Sequence, residues 1–333
     1  MQVGRINMSK KLVFLGCGGT IAGASVDATD NVGYQAGVLP LGELLTGIQG
    51  LTAQLSGAQL VCEQVAQIDS KDLEFAHWAS LATAVSGYLD QTDVCGIVIA
   101  HGTDTLEETA FFLSRVLSRH WLREKAVVLT CAMRPSTSAN PDGPQNVLDA
   151  VAVALHPQAS GVLVSCAGMV HSGASVQKVH PYRLNPFDSR DAGPLAVVEE
   201  GCVRWVQITP EVDADREEFA LQRLHAPNWP RVEIVVSHAG ASGDNVRAIC
   251  NSAIGGVDPV RGLVVAGTGN ATVHVSLEAA LKEAEQDGIK VVRTTRCAYG
   301  EVVAAKTSRP RRESFNHLPP LKARIALMLE LMQ

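Results

Sequence analysis

Three short segments concentrate small, hydroxyl-bearing and charged side chains directly after apolar runs. The first is GCGGTIAG, Gly16 to Gly23. Glycines let a backbone turn tightly and aim its N–H groups at a ligand. Thr20 sits inside this loop, where its hydroxyl could attack a carbonyl while neighbouring N–H groups hold the developing oxyanion. A dinucleotide loop is the competing reading. Its G-x-G-x-x-G spacing fails, because Ile21 stands where a third glycine is required. The second segment, AHGTDTLEET at Ala100 to Thr109, places His101, Thr103, Asp104 and Thr105 ahead of a helix start. Asp and Thr are also ordinary helix caps, and a lone His101 is more often a packed histidine than a base. The third is CAMRPSTSANPDGPQN, Cys131 to Asn146. Arg134 there either pairs with a carboxylate or ties down a loop, and residue chemistry leaves both open.

These segments need elements to hold them. KLVFL (Lys11 to Leu15), GIVIA (Gly96 to Ala100), AVVLTCA (Ala126 to Ala132) and GVLVSCA (Gly161 to Ala167) are short, continuous apolar runs. Such runs suit strands covered on both faces, hence a parallel sheet, and ligands sit beyond the carboxyl ends of parallel strands. A helix is predicted over Leu106 to Trp121, with Leu106, Ala110, Leu113 and Leu117 on one stripe. Thr105 and Glu108 have the spacing of a capping box. A second helix is predicted over Asn146 to Leu155. The stretch 209–230 contains Pro210, Pro227 and Pro230 and reads as a linker between domains at 1–208 and 231–333. Beyond it come VEIVVSHAG, GLVVAGTGN, a helix from Val275 to about Gln286, KVVRTT, and a final helix near Leu321 to Met332. SRPRRES, Ser308 to Ser314, reads as a basic loop.

A chain of 333 residues fits two domains, and 46% hydrophobic with 19% charged residues marks a globular protein. A net charge of −6 argues against nucleic acid or an anionic membrane as the main partner. The eight cysteines show no CxxC or Cys/His ligand spacing. Cys95, Cys131 and Cys166 lie in or beside apolar runs and read as buried, reduced thiols. No apolar stretch approaches the roughly 20 residues of a membrane helix, and no signal peptide is visible. A cytoplasmic location is therefore expected. The natural start is Met1 or Met8.

Taken together, GGTIAG at Gly18 to Gly23, HGTDTLEETAFFL at His101 to Leu113 and AMRPSTSANPDGPQN at Ala132 to Asn146 strongly resemble the bacterial L-asparaginases. The resemblance continues through DSKD at Asp69 to Asp72, GTGN at Gly267 to Asn270, and LPPLKARIALMLEL at Leu318 to Leu331. It implies a two-domain α/β protein. The larger N-terminal domain would carry a doubly wound, mostly parallel sheet of flavodoxin-like or Rossmann-like kind, and the smaller domain would be α/β. The implied reaction is hydrolysis of L-asparagine to L-aspartate and ammonia, without metal or organic cofactor, by a homodimer or homotetramer. A glutaminase-asparaginase of broad specificity and a non-catalytic amino-acid sensor are the rivals.

Residue by residue, Thr20 matches the nucleophilic threonine, and Tyr34 the tyrosine of a mobile loop that closes over it. Thr103 and Asp104 match the second threonine and the aspartate that binds the substrate ammonium. Lys178 matches the lysine working with that second threonine; residue chemistry alone would make it a surface lysine, and a base role needs a lowered pKa. Ser70 matches the serine holding the substrate α-carboxylate, and Ala132 a backbone carbonyl on the amide. Three positions depart. Lys71 stands where many relatives have glutamine beside the α-carboxylate serine, and a lysine there could still pair with that carboxylate; Thr272 stands where a neighbouring subunit usually contributes Asn or Ser. Alignment puts Thr307 at the partner-subunit glutamate, with Glu301 a nearby candidate. Residues 21–38, with Gly23, Gly33 and Gly37, are expected to order poorly without substrate.

Overall fold

A computed structural model describes residues 10–207, 217–251, 259–303 and 315–333. Both candidate starts, Thr307, SRPRRES and part of the stretch 209–230 lie outside them. The chain divides into two compact units, Met1–His225 and Ala226–Gln333.

The first unit is built on strands β1 Lys11–Gly18, β2 Gln59–Ile68, β3 Val94–Ala100, β4 Ala126–Thr130 and β5 Gly161–Cys166. They are all parallel, in the order β5-β4-β3-β1-β2. The sheet continues past β5 through β6 Met169–Ser172, and a short ribbon follows outside it, β7 Gln177–Lys178 paired with β8 Phe187–Asp188. Two further sheet strands, β9 Ala196–Glu199 and β10 Cys202–Trp205, complete an antiparallel edge. The central strands are apolar on both faces because both are covered. Leu12, Phe14, Val98, Val128 and Leu163 join one core cluster with α1 Leu41–Thr46, α2 Leu51–Gln54 and α6 Gly143–Leu155. The alternate residues Val13, Leu15, Ile97, Ile99, Val127 and Leu129 are fully buried. On that face α3 Phe75–Leu89 packs on β2 and β3, α4 Leu106–Val116 on β5, and α5 Arg119–Glu124 on β4 and β5. Each such side chain contributes about 1.5–3 kcal/mol on burial.

The strand order changes direction between β1 and β3. In doubly wound sheets that switch point opens a crevice at the carboxyl ends of the two strands, which is where the Thr20 and Thr103 segments begin.

Two helix expectations change. The predicted helix over Leu106 to Trp121 breaks at Leu117, whose ψ of 147° is extended, and restarts at Arg119. Thr105 makes no side-chain cap; its hydroxyl donates instead to the Ser70 carbonyl at 2.8 Å. The Pro-containing turn before Asn146 is itself helical, so that helix starts at Gly143. Within the stretch 209–230, Leu221–His225 is a 3-10 turn packed on α3.

The second unit has β11 Arg231–Val236, β12 Val260–Gly267 and β13 Lys290–Thr295, parallel in the order β11-β12-β13. Helices α7 Asp244–Asn251 and α8 Val275–Gln286 share a core with Val235, Leu263 and Val265. Helix α9 Pro320–Met332 packs on all three strands.

Candidate active site

Strand β1 runs into Gly18 and Gly19, and both have positive φ, 89° and 80°. A Cβ on Gly19 would lie 2.3 Å from the Gly102 Cα. Gly102 is pressed from another side too, since its Cβ would lie 2.5 Å from the Ser70 Oγ. No side chain fits at either glycine, so the backbones after β1 and β3 touch. Thr20 and Thr103 each follow one of the touching glycines, and Ser70 joins them. All three are buried, Thr20 at 6% and Thr103 at 5% exposure.

The two threonines have different partners. Thr20 Oγ1 lies 2.7 Å from Tyr34 Oη, with either able to donate. Burial holds the Tyr34 phenol above its ordinary pKa; the Asp69 and Asp104 carboxylates push the same way, and the Thr20 hydrogen bond opposes them. Thr103 Oγ1 accepts from Lys178 Nζ at 2.9 Å, and the same Nζ pairs with Asp104 Oδ1 at 2.6 Å. The Lys178 side chain is 16% exposed and that of Asp104 53% exposed, so one face of this pair is open to a ligand.

Below Thr103, a buried chain fixes the turn. Trp78 Nε1 donates to Thr109 Oγ1 at 2.9 Å, and Thr109 Oγ1 lies 3.0 Å from His101 Nε2. His101 Nδ1 lies 2.8 Å from the Gly102 carbonyl, which only accepts. Nδ1 therefore carries the proton and Nε2 accepts. Burial lowers the His101 pKa from 6.5 to about 4, against the opposing Gly102 bond. His101 is a packed, neutral histidine.

Arg134 Nη1 donates to the Asn140 carbonyl at 3.0 Å and ties down its own loop. Sequence reasoning missed the residue that shapes this segment, Asp142, whose two oxygens accept from the Met133 and Arg134 N–H groups at 2.9 Å each. Asn146 Nδ2 holds the Cys131 carbonyl at 2.9 Å. The buried Ala132 is thus fixed on both sides. Among the sequence signals, only the Asp in NPDGP ahead of a helix could have pointed to Asp142.

Segment 21–38 packs on the rest of the first unit. Ala24 and Gln35 exchange backbone bonds of 2.9 Å, Ser136 N donates to the Gly23 carbonyl, and Ser138 Oγ to Asn31 Oδ1. Lys71 is 59% exposed and pairs with Asp69 and Asp72. In the second unit, Thr272 Oγ1 lies 2.9 Å from Thr268 Oγ1, within a two-residue bridge, and Glu301 is exposed. All eight cysteines are free; Cys131 and Cys166 are buried, Cys95 is half-buried, and Cys62, Cys202 and Cys297 are exposed. Among the described residues, no three His, Cys, Asp or Glu side chains are grouped to hold a metal ion, and no helix is long and apolar enough to cross a membrane. A cavity of about 760 Å3 lies beside α6, lined by Gln54, Gln145, Asp149 and Glu200 among others, and by neither threonine.

Comparison with known proteins fits this geometry. The asparaginase N-terminal domain family matches residues 11–210, and the glutaminase/asparaginase C-terminal domain family matches 231–333. The chain is 33% identical to a glutaminase-asparaginase of Pseudomonas fluorescens biotype A, over 96% of this chain and 86% of that protein. It is equally 33% identical to L-asparaginase 2 of Escherichia coli K12, over 97% and 89%. A crystal structure of a probable cytoplasmic L-asparaginase from Campylobacter jejuni superposes with a TM-score of 0.85 at 32% identity, covering 98% of this chain and 96% of that one. With both domain families matched in order across nearly its whole length, the chain belongs to the asparaginase family and is a hydrolase acting on amides.

Proposed function

We propose that the protein is an L-asparaginase, converting L-asparagine and water to L-aspartate and ammonia through an acyl-enzyme on Thr20. The observation that carries this is the pairing of two buried threonine hydroxyls with two different proton-handling groups at one switch point. In the first half-reaction the Thr20 oxygen bonds the side-chain amide carbon and the C–N bond breaks. The proton of Thr20 leaves through Tyr34 and a proton reaches the departing nitrogen, giving ammonia. In the second, water adds to the acyl carbon, the ester to Thr20 breaks, and Thr20 regains its proton. A threonine hydroxyl needs such help, being a weak nucleophile while protonated. Because the Tyr34 pKa is raised, Tyr34 enters as a phenol. It can accept the Thr20 proton only while passing its own onward, which makes it a relay rather than a phenolate base.

Thr103 and Lys178 handle protons on the opposite side. The exposed face of Asp104 takes the substrate ammonium, Ser70 the α-carboxylate, and the Ala132 carbonyl the amide. These anchors fix the distance from the amino-acid end to the scissile amide. Glutamine is one methylene longer, and crowding by one methylene discriminates about 10–200-fold. Within that range kcat/KM for asparagine should exceed that for glutamine by at least about 50-fold. A coupled ammonia-release assay with both amides tests this. Equal values would favour the second reading, a glutaminase-asparaginase, which the Pseudomonas relative supports at the same identity as the Escherichia coli one.

The working species is at least a dimer on this reading, with Thr272 or Glu301 supplied by a neighbouring subunit. Sedimentation at micromolar concentration checks it, and a fully active species of 35.3 kDa would refute it. Eight free cysteines support a reducing, cytoplasmic setting. Thiol titration of protein isolated under alkylating conditions tests that, and recovered disulfides would contradict it.

A further inference from the structure

Lys178 stands on a short ribbon. Strand β7 is two residues long and pairs Gln177 with Asp188 and Lys178 with Phe187, and the Val179 N–H beyond it donates to the Pro186 carbonyl at 2.8 Å. A lysine head on a flexible four-carbon stem is aimed only as well as its Cα is fixed. From outside the ribbon, the Lys178 backbone N–H donates to Glu107 Oε2 at 2.8 Å. Glu107 is a buried carboxylate in the first turn of α4, four residues beyond Thr103 on the same turn of chain.

We infer that Glu107 is a positioning residue for the reaction: its carboxylate clamps the β7 ribbon to the turn carrying Thr103, so that Lys178 Nζ meets Thr103 Oγ1 and Asp104 Oδ1. The bonds close a ring. It runs along the main chain from Thr103 to Glu107, across the carboxylate to the Lys178 backbone, and down the lysine side chain back to Thr103. Burying a carboxylate is costly unless it is well hydrogen-bonded, and a helix N-terminus offsets part of that cost. An apolar residue would fill the space but leave the Lys178 N–H without this acceptor. The reach matters as much as the charge, because Glu107 spans the gap between two elements that no strand pairing joins. This inference rests on the reading of Thr103 and Lys178 as a proton-handling pair.

The test compares Glu107→Gln with Glu107→Asp, using whichever amide the protein hydrolyses. Gln keeps an acceptor oxygen at the same reach, whereas Asp keeps the charge but withdraws the oxygen by one methylene. Misplacement by about 1 Å costs about 100-fold, so Glu107→Asp should lose roughly that in kcat, with KM moving less than about threefold. Glu107→Gln should lose less than about fivefold, since its acceptor remains. Thermal melts must show both variants folded at the assay temperature. Crystal structures add a readout that needs no substrate: the 2.9 Å contact of Lys178 Nζ with Thr103 Oγ1 should open in Glu107→Asp and persist in Glu107→Gln. Near-normal kcat and an unchanged contact in Glu107→Asp would overturn the clamp. So would equal losses in both variants, or a loss that tracks the unfolded fraction. Normal turnover in Lys178→Met would instead overturn the proposed roles of the pair, with the crystallographic distances still deciding the clamp.

Discussion

Thr20 and Thr103 are buried alike and follow neighbouring strands, yet the groups that partner them are mounted differently. Tyr34 comes from a long surface segment in which Val26 and Val32 point into solvent. That segment is held by a two-residue bridge, by backbone bonds such as Ser136 N to the Gly23 carbonyl and Ala139 N to the Ala28 carbonyl, and by side-chain bonds at exposed positions, such as Ser25 N to Thr137 Oγ1 at 2.8 Å. Bonds of that kind are competed for by water and open locally at little cost. Lys178 is tied through a buried carboxylate to a turn that is itself pinned by the Trp78–Thr109–His101 chain. One hydroxyl thus meets a partner carried on a surface segment, and the other a partner tied to a buried carboxylate. The difference suits a site that must admit substrate on one side and hold geometry on the other.

Removing each partner should expose this asymmetry. Thr20→Ala deletes the proposed nucleophile, and kcat should fall by about 10^4-fold or more with circular dichroism unchanged, as nucleophile loss usually does. A variant keeping more than about a tenth of turnover would exclude Thr20 as nucleophile. Tyr34→Phe removes only the proposed relay, so a smaller loss of about 10^2-fold in kcat is expected, within the range of acid–base contributions. KM should change much less. Were KM to rise while kcat held, Tyr34 would be a binding residue and the loop would close for affinity rather than for proton transfer.

Acid should act on the fixed side first. His101 is neutral in the fold, with its pKa lowered to about 4 from 6.5. The unfolded chain therefore takes up a proton at a higher pH than the folded one. The stability loss this causes is absent above pH 6.5 and grows as pH falls toward 4, reaching roughly 3 kcal/mol in all. Tyr34, with its pKa raised, stays a phenol throughout that range, so the Thr20 side should not titrate through it. Urea unfolding at steps from pH 7 to pH 4 measures the slope, and His101→Gln should flatten it. A slope unchanged in the variant would assign the acid loss to other groups.

Most of the first unit's centre was legible because doubly covered strands must be continuously apolar, as Leu12 to Leu15 and Ile97 to Ile99 are. Strand β2 escaped notice for the opposite reason. It lies at the sheet edge, and its Glu63, Gln64 and Gln67 interrupt any apolar run. The antiparallel edge β6, β9 and β10 consists of four-residue strands, too short for periodicity to register. Within the site, the hydroxyls and charged groups could be singled out by type, whereas their supports could not. Thr105 has the spacing of a cap and instead braces Ser70. Glu107 looks like an ordinary first-turn acid, and only the return of the chain 71 residues later reveals its partner.

The smallest effect is expected at Lys71, the departure that would bear most directly on substrate choice. An ammonium beside Ser70 could grip the substrate α-carboxylate and restrain a longer amide. In the fold, however, the Lys71 ammonium already pairs with Asp69 and Asp72 in an exposed position, and the Asp72 bond holds its pKa up. Drawing it to a ligand would mean giving up those two partners. Exposed pairs contribute only about 0–1 kcal/mol, so this lysine neither stabilises the fold much nor gains much by moving. Lys71→Gln should therefore shift stability by less than about 0.5 kcal/mol, as surface changes do. It should alter the asparagine-to-glutamine ratio of kcat/KM by less than about threefold, well inside the range of one-methylene discrimination. A tenfold fall in that ratio would mean that Lys71 releases its aspartates when substrate arrives, and that the anchored end of the substrate, rather than the Thr20 and Thr103 neighbourhoods, sets specificity.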